Sequence, residues 1–228
     1  MNKIDKLQLI WASLPALLEG ALVTIELTVF GLGLGLLLAL PLSFGQIYGS
    51  LLVRSLVSIY ERILRSIPLL VILFLIFYGF PRVGIRFSPF IACVLGIGLR
   101  SSAYQSQIFR GAIQSVEGGQ LKAALSLGMS RMKAFIFIIL PQAIRIAIPP
   151  WANEFTIVLK DSSMAYALGV IELLRQGRYI ISTSYEPMVI FITVAVIYFG
   201  MTIIINNGLG RLEDRLQIPG FKLEESSL

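Results

Sequence analysis

There is no histidine anywhere in this sequence and only one cysteine, Cys93. An intrachain disulfide is therefore excluded, as are a Cys/His metal site and the Cys/His and Ser/His pairs used in much covalent catalysis. No G-x-x-x-x-G-K-[ST] segment is present to cradle nucleotide phosphates, so this chain is not expected to hydrolyse ATP itself. Charge is scarce too: 14% of residues are charged, whereas 56% are apolar. A soluble fold of 228 residues would have to hide far more apolar surface than one core supplies, and the composition places the chain in a membrane. The 19 Lys and Arg exceed the acids and leave a net charge of +6, but they are dispersed between apolar runs. That pattern lacks the single basic face that nucleic acid requires and points to membrane topology instead. Cys93 reads as a small apolar packing residue.

What the sequence does contain is a series of apolar runs. They predict an all-α integral membrane protein, one domain over residues 1–228 with five transmembrane helices. The expected spans are about 16–44, 66–80, 89–108, 141–164 and 187–205. The second starts instead near Leu51 if one helix carries through the interface into the bilayer. Residues 1–14 are too polar at their start to span, and Trp11 suits an interfacial anchor. In the first span Gly31, Gly33 and Gly35 permit close helix approach. Pro149-Pro150 are expected to interrupt the fourth, and Asn206-Asn207-Gly208 to close the fifth. Glu172, Arg175 and Arg178 lie at helical spacing in 169–181, which reads as a surface or re-entrant helix.

Loop charge orients these spans. Segments 45–65, 109–133 and the tail from Gly208, which includes Lys222, hold ten Lys and Arg, against six on the opposite side. The positive-inside rule then puts the amino terminus outside and the carboxyl terminus in the cytoplasm. The longest polar interruption, Phe109 to Pro150, falls on the cytoplasmic side. Gly118-Gly119 are expected to end the helix before it, and Gly128 to separate two short helical pieces, Gln120 to Leu127 and Ser130 to Leu140.

Ionisable residues within apolar spans are the candidate functional groups, because each is costly unless paired or hydrated. Glu26 lies deep in the first span and Arg100 near the middle of the third. Glu154 and Asp161 are seven apart in the fourth, separated by about 20° around a helix. Two acids on one face form a site for a cationic or ammonium-bearing solute; the other reading is an ion-pair network closed by Lys160 or Arg100, and the two can coexist. Ser162 and Ser163 either supply hydroxyl donors there or bond to their own preceding turn. If the third span faces inward there, Arg100, Ser101 or Ser102 receives a solute carboxylate.

Lys122, Ala123, Ala124, Gly128, Ile138 and Leu140-Pro141 follow the spacing E-A-A, three residues, G, about nine residues, I-x-L-P. This stretch resembles the cytoplasmic loop of permease subunits in bacterial ATP-binding-cassette importers. The run from Leu140 to Leu173 resembles the polar amino acid permease branch, which includes arginine, histidine and glutamine transporters. Arg65-Ser-Ile-Pro-Leu-Leu70 is similar to that branch's R-G-T-P-L-L, and 103–120 to its A-Y-x-x-E-x-x-R-G stretch. Two positions depart: Lys122 stands where the signature has Glu, and Gln107 where A-Y-x-x-E has its acid.

The resemblance implies a type I importer permease in the bacterial cytoplasmic membrane, working with a second copy or a sister permease. A dimer of separate ATPase subunits would carry ATP and magnesium, and an extracytoplasmic amino-acid-binding protein would deliver the cargo. No cofactor is expected on this chain. A short cytoplasmic coupling helix would present Gly119, Gln120, Leu121, Lys122, Ala123, Ala124, Leu127 and Gly128 to the ATPase, within a coupling region 111–140. Glu154 adds a second negative charge beside Asp161, so charge complementarity favours a cationic cargo such as arginine, lysine or histidine. The alternative class is an ion-coupled secondary transporter or channel for small cationic solutes, with Glu26, Glu154 and Asp161 carrying protons or cations.

Overall fold

The computed structural model describes residues 3–216, and every described element is helical. Lys222 lies outside these residues. Helix α1 runs from Lys3 to Tyr48 without a break at residue 16. Its 46 residues reach about 69 Å at ~1.5 Å per residue, roughly twice a bilayer's hydrocarbon thickness. The polar start is thus an extension of the first helix.

Helix α2 (Leu51–Ser66) is capped by Ser50, whose hydroxyl accepts from the Val53 amide. Proline at 68 restricts the residue before it, and Ile67 is extended (φ −89°, ψ 132°). Helix α3 (Leu69–Phe74) then continues through a π-helical turn and a 3-10 turn to Val83, bent by 105° from α2. A helix starting near Leu51 therefore does not carry straight into the second span.

Helix α4 (Pro89–Ser126) opens on the Ser88 cap with proline in its first turn. It passes through Gly118-Gly119, contrary to the break expected there. A helical glycine costs only about 1 kcal/mol against alanine, and the following Gln120, Leu121, Lys122, Ala123 and Ala124 are strong helix formers. The residues expected to form a separate short coupling helix are the last turns of this 38-residue helix. Its end is a Schellman motif: the Met129 amide donates to the Ala124 carbonyl and the Gly128 amide to Leu125, with Gly128 at φ +81°.

Ser130 caps α5 (Arg131–Ala134), and a π-helical turn leads into α6 (Leu140–Asp161). Pro149 and Pro150 lie inside α6 and do not end it; in an apolar span the freed carbonyls are re-satisfied by neighbours and small local adjustments. A 3-10 turn, Ser162–Leu168, precedes α7 (Leu173–Ser184). Helix α8 (Pro187–Leu216) runs through Asn206-Asn207-Gly208, again without the expected stop. Asn206 is used between helices, its Oδ1 accepting from Thr156 Oγ1 at 2.7 Å.

Among the described residues three helical stretches are long and apolar enough to cross a membrane: Asp5–Tyr48, Arg131–Leu168 and Pro187–Leu212. The bent α2–α3 pair makes a fourth if it counts as one span. Helix α4 is not among them, because Arg100, Ser101, Ser102, Gln105 and Ser106 dilute its apolar first half.

Helices α1 and α4 pack side by side in parallel through glycine contacts. A Cβ on Gly31 would lie 2.6 Å from Ile97, one on Gly35 2.6 Å from Gln105 Nε2, and one on Gly98 2.7 Å from Leu34. Gly33 points elsewhere, with nothing within 4 Å. The core beside this contact gathers Leu27, Leu73, Ala92, Ile97 and the fully buried Cys93. Ala112, Val116, Ile139, Ala143 and Ala147 join α4 to α6, and Leu17, Leu173, Ile190 and Val194 dock α7 on α1 and α8.

Candidate functional site

The first half of α4 supplies a polar seam to these packed helices. Gln105 sits at its centre, fully buried. Its Nε2 donates to the Leu32 carbonyl at 3.1 Å and to Ser101 Oγ at 3.0 Å, and its Oε1 accepts from Trp151 Nε1 at 2.9 Å. One amide thus ties α1, α4 and α6, the arrangement a membrane interior demands of a buried polar group. Ser101 Oγ in turn donates to Glu154 Oε1 at 2.7 Å. Arg100 pairs with Asp161, the one ion pair among the described residues, and both side chains keep about a fifth of their surface exposed.

Of the expected site residues, the structure brings together Arg100, Ser101, Glu154 and Asp161. Asp161 pairs with Arg100, and Glu154, 4% exposed, accepts from Ser101. Lys160 is exposed. Ser102 lies close in sequence but serves another contact, sharing a 2.8 Å hydrogen bond with Tyr60 and donating to the Leu99 carbonyl. Ser162 donates to Leu159 of its own helix at 2.7 Å. Glu26 is exposed on α1, away from the pair. Glu154 and Asp161 thus lie seven apart on α6 as the spacing predicts, and α4 supplies a partner to each carboxylate.

A second polar cluster was not foreseen. Glu61 on α2 is 4% exposed and accepts from Ser106 Oγ at 2.7 Å, from Gln46 Nε2 at 3.0 Å and from Gln107 Nε2. Gln107 is one of the two departures from the family pattern, and facing a carboxylate its amide can donate where an acid would repel. The signal was available. Ser58, Glu61, Arg62 and Arg65 recur at one helical face of α2, opposite exposed Leu52, Leu56, Ile59 and Ile63. Read only as a basic stretch, the segment hid its one acid. A cavity of about 470 Å³ opens beside it, lined by residues that include Glu61, Arg62, Arg65, Tyr104, Gln107 and Arg110.

A third buried acid lies outside the apolar spans. Glu172 caps α7, its carboxylate accepting the Leu174 and Arg175 amides at 2.8 Å each and the Tyr198 hydroxyl at 3.1 Å. Burial pushes this carboxyl up to about 7, against the pull of those hydrogen bonds and of Arg175. Thr24 Oγ1 accepts the next amide, Leu173, so α1 positions the same helix start. The expected surface or re-entrant helix is therefore docked into α1 and α8.

At its other end α4 projects away from the core. Gly119, Gln120, Lys122, Ala123, Leu127 and Gly128 are exposed, Leu121 is half-buried and Ala124 is buried. Leu127 is 83% exposed and Met132, across the Gly128 turn, 68%. These two large apolar side chains have little of this chain to pack against.

Residues 31–218 match the family described as the inner membrane component of binding-protein-dependent transport systems. The chain is 36% identical over 211 residues to the glutamine transport system permease protein of Escherichia coli (strain K12), covering 92% of this chain and 96% of that protein. It is 38% identical over 186 residues to the L-cystine transport system permease protein of Bacillus subtilis (strain 168), covering 81% and 80%. Its fold is similar to that in the crystal structure of an amino acid ABC transporter with histidines, with a TM-score of 0.86 and 32% identity over 94% of this chain and 99% of that one. An inward-facing methionine ABC transporter shares the fold at a TM-score of 0.70 and 19% identity, covering 96% of this chain and 100% of that one.

Proposed function

We propose that this chain, which belongs to the family of binding-protein-dependent transport system inner membrane components, forms one half of an ATP-driven pathway importing polar amino acids. Membership makes it a multi-pass inner-membrane permease subunit of the amino-acid branch, not the subunit that hydrolyses nucleotide. In the proposed complex a second copy or sister permease completes the pathway. An ATPase pair binding ATP and magnesium docks on the cytoplasmic side, and a binding protein delivers cargo from outside. Five crossings are part of this reading, with α4 as the polar third span lining the pathway, the amino terminus outside and the carboxyl terminus in the cytoplasm.

The observation that carries the proposal is the continuity of α4. One unbroken helix holds Arg100, Ser101 and Gln105 in the polar seam and ends on the exposed apolar tip at Leu127. The 22 residues from Gln105 to Leu127 span about 33 Å. A displacement applied by an ATPase to that tip therefore reaches the seam through a stiff rod, and a two-position shift of the rod re-sorts the seam's hydrogen bonds. Gly119, Gln120, Leu121, Lys122, Ala123, Ala124, Leu127 and Gly128 form the docking surface. The test is reconstitution with the ATPase and crosslinking of a cysteine placed at 127. Crosslinks to the ATPase that change in yield with ATP support the lever, and their absence refutes it.

Cargo charge is the less determined part. Asp161 faces Arg100 and Glu154 is enclosed, so the charge of these two acids alone does not select a cationic cargo. We take the cargo to be polar amino acids without a charge requirement set by Glu154; the relatives named for glutamine and L-cystine transport support this. Uptake of labelled arginine, glutamine and glutamate by Glu154→Gln tests it. The three are expected to change together, whereas a selective loss of arginine would restore the cationic reading.

A further inference from the structure

The cavity beside α2 carries an unbalanced charge. Arg62, Arg65 and Arg110 line it, yet none forms an ion pair among the described residues. Its one acid, Glu61, already accepts from Ser106, Gln46 and Gln107. Arg110 donates through one terminal nitrogen to Gln107 Oε1, while its Nε is a buried donor without a partner. Arg65 is exposed and lies over the Tyr104 ring, 5.1 Å from its guanidinium carbon to the ring centroid, and Tyr104 is shared at the same distance with Arg100 of the ion pair. Three guanidiniums and one satisfied carboxylate leave a formal excess of two positive charges on the wall of one cavity. Its volume, about 470 Å³, lies within the roughly 300–1,000 Å³ of small-molecule sites.

We infer that this cavity is a station for an oxyanion, and that the oxyanion is the α-carboxylate of the transported amino acid. This deepens the transport reading above and rests on it. Guanidinium groups match a carboxylate's geometry, and the buried Arg110 Nε is a donor awaiting an acceptor. The direction of α2 favours cargo over lipid. Its exposed apolar stripe, Leu52, Leu56, Ile59 and Ile63, lies on the far side of the helix, so the arginines face away from the surface suited to acyl chains. A site that reads the α-carboxylate accepts side chains of different kinds. The Tyr104 ring joins it to the Arg100–Asp161 pair, so occupancy of the cavity and the state of the pair are in contact.

The test is equilibrium binding of labelled glutamine, and of its α-carboxamide, to the permease–ATPase complex without binding protein. It is run in vesicles of phosphatidylcholine alone and with phosphatidylglycerol. Arg65→Gln and Arg110→Gln are each expected to weaken glutamine binding by about ten-fold, the scale of one lost charge-assisted contact. Arg65→Lys, which keeps the charge but not the planar fork, should lose less affinity than Arg65→Gln, which separates charge from misfolding, and the carboxamide should bind weakly and alike to all forms. Unchanged glutamine affinity in the Gln variants, or equal loss for acid and carboxamide, overturns the inference. An effect present only with phosphatidylglycerol also overturns it and gives the cavity to a lipid phosphate. Uptake of labelled arginine, glutamine and glutamate by the complete wild-type importer is measured in parallel. Wild-type uptake with unaffected variants refutes the carboxylate station alone, whereas a wild type that accumulates none of the three refutes the transport reading and the station together.

Discussion

The two ends of α4 are built on opposite principles. Around Gln105 the described side chains are tied to neighbours: one amide bonds to three elements, Ser101 holds Glu154, and Arg100 holds Asp161. Around Leu127 the exposed large apolar side chains, Leu127 and Met132, have little of their own chain to pack against, while Ala124 one turn back is buried. The difference teaches that the seam owes its arrangement to this chain, where an unpaired group in a low-dielectric interior is costly. The tip's exposed Leu127 and Met132 are the side chains that the proposed ATPase contact would cover.

The sharpest way to break this comparison is Leu127→Asp. Removing an apolar anchor from an interface costs on the order of 2 kcal/mol, so uptake is expected to fall about thirty-fold while the permease's own thermal unfolding barely moves. A parallel loss of stability would mean that the tip belongs to the fold after all. In the seam the balance reverses. Arg100→Met leaves Asp161 unpaired, and because the pair is partly exposed the expected loss is about 2 kcal/mol, below that of a fully buried pair. The double variant Arg100→Met/Asp161→Leu should recover more than half of it in thermal unfolding; losses that simply add would deny the coupling.

The helix contact beneath the seam gives a smaller effect. Gly35→Ala pushes a methyl group against Gln105 Nε2 and should cost about 1–2 kcal/mol, whereas Gly33→Ala, which meets open space, should stay within about 0.5 kcal/mol. Equal effects in unfolding measurements would place the α1–α4 contact elsewhere. Smallest of all is Lys122→Glu, which restores the family's usual acid on an exposed turn. Stability should stay within about 0.5 kcal/mol, and ATPase stimulation should shift by about two- to three-fold through charge complementarity at the proposed docking surface.

Several helix ends were the least legible features. Gly118-Gly119, Pro149-Pro150 and Asn206-Asn207-Gly208 all carry local signals for a break, and helices pass through all three. A glycine's preference is worth about 1 kcal/mol, which packing and the need to satisfy backbone groups in lipid override. Gly128 does end a helix, because the turn there requires the positive φ that glycine adopts at no steric cost. Glu154 and Asp161 announced themselves by lying in an apolar run seven residues apart. Glu61 did not, since three arginines surround it in the sequence and its partners come from residues 46, 106 and 107.

Composition alone determined that this chain lives in a membrane, because 56% apolar residues and so few charges have no soluble solution, and the spaced signature around Lys122 to Pro141 pointed to its family. Tertiary structure alone decided which partner each buried acid meets. Whether Glu154 meets a solute or Ser101, and whether Asp161 attracts cargo or holds Arg100, depends on the relative register of α4 and α6. Contacts across helices far apart in sequence set that register, and no local run of residues records it.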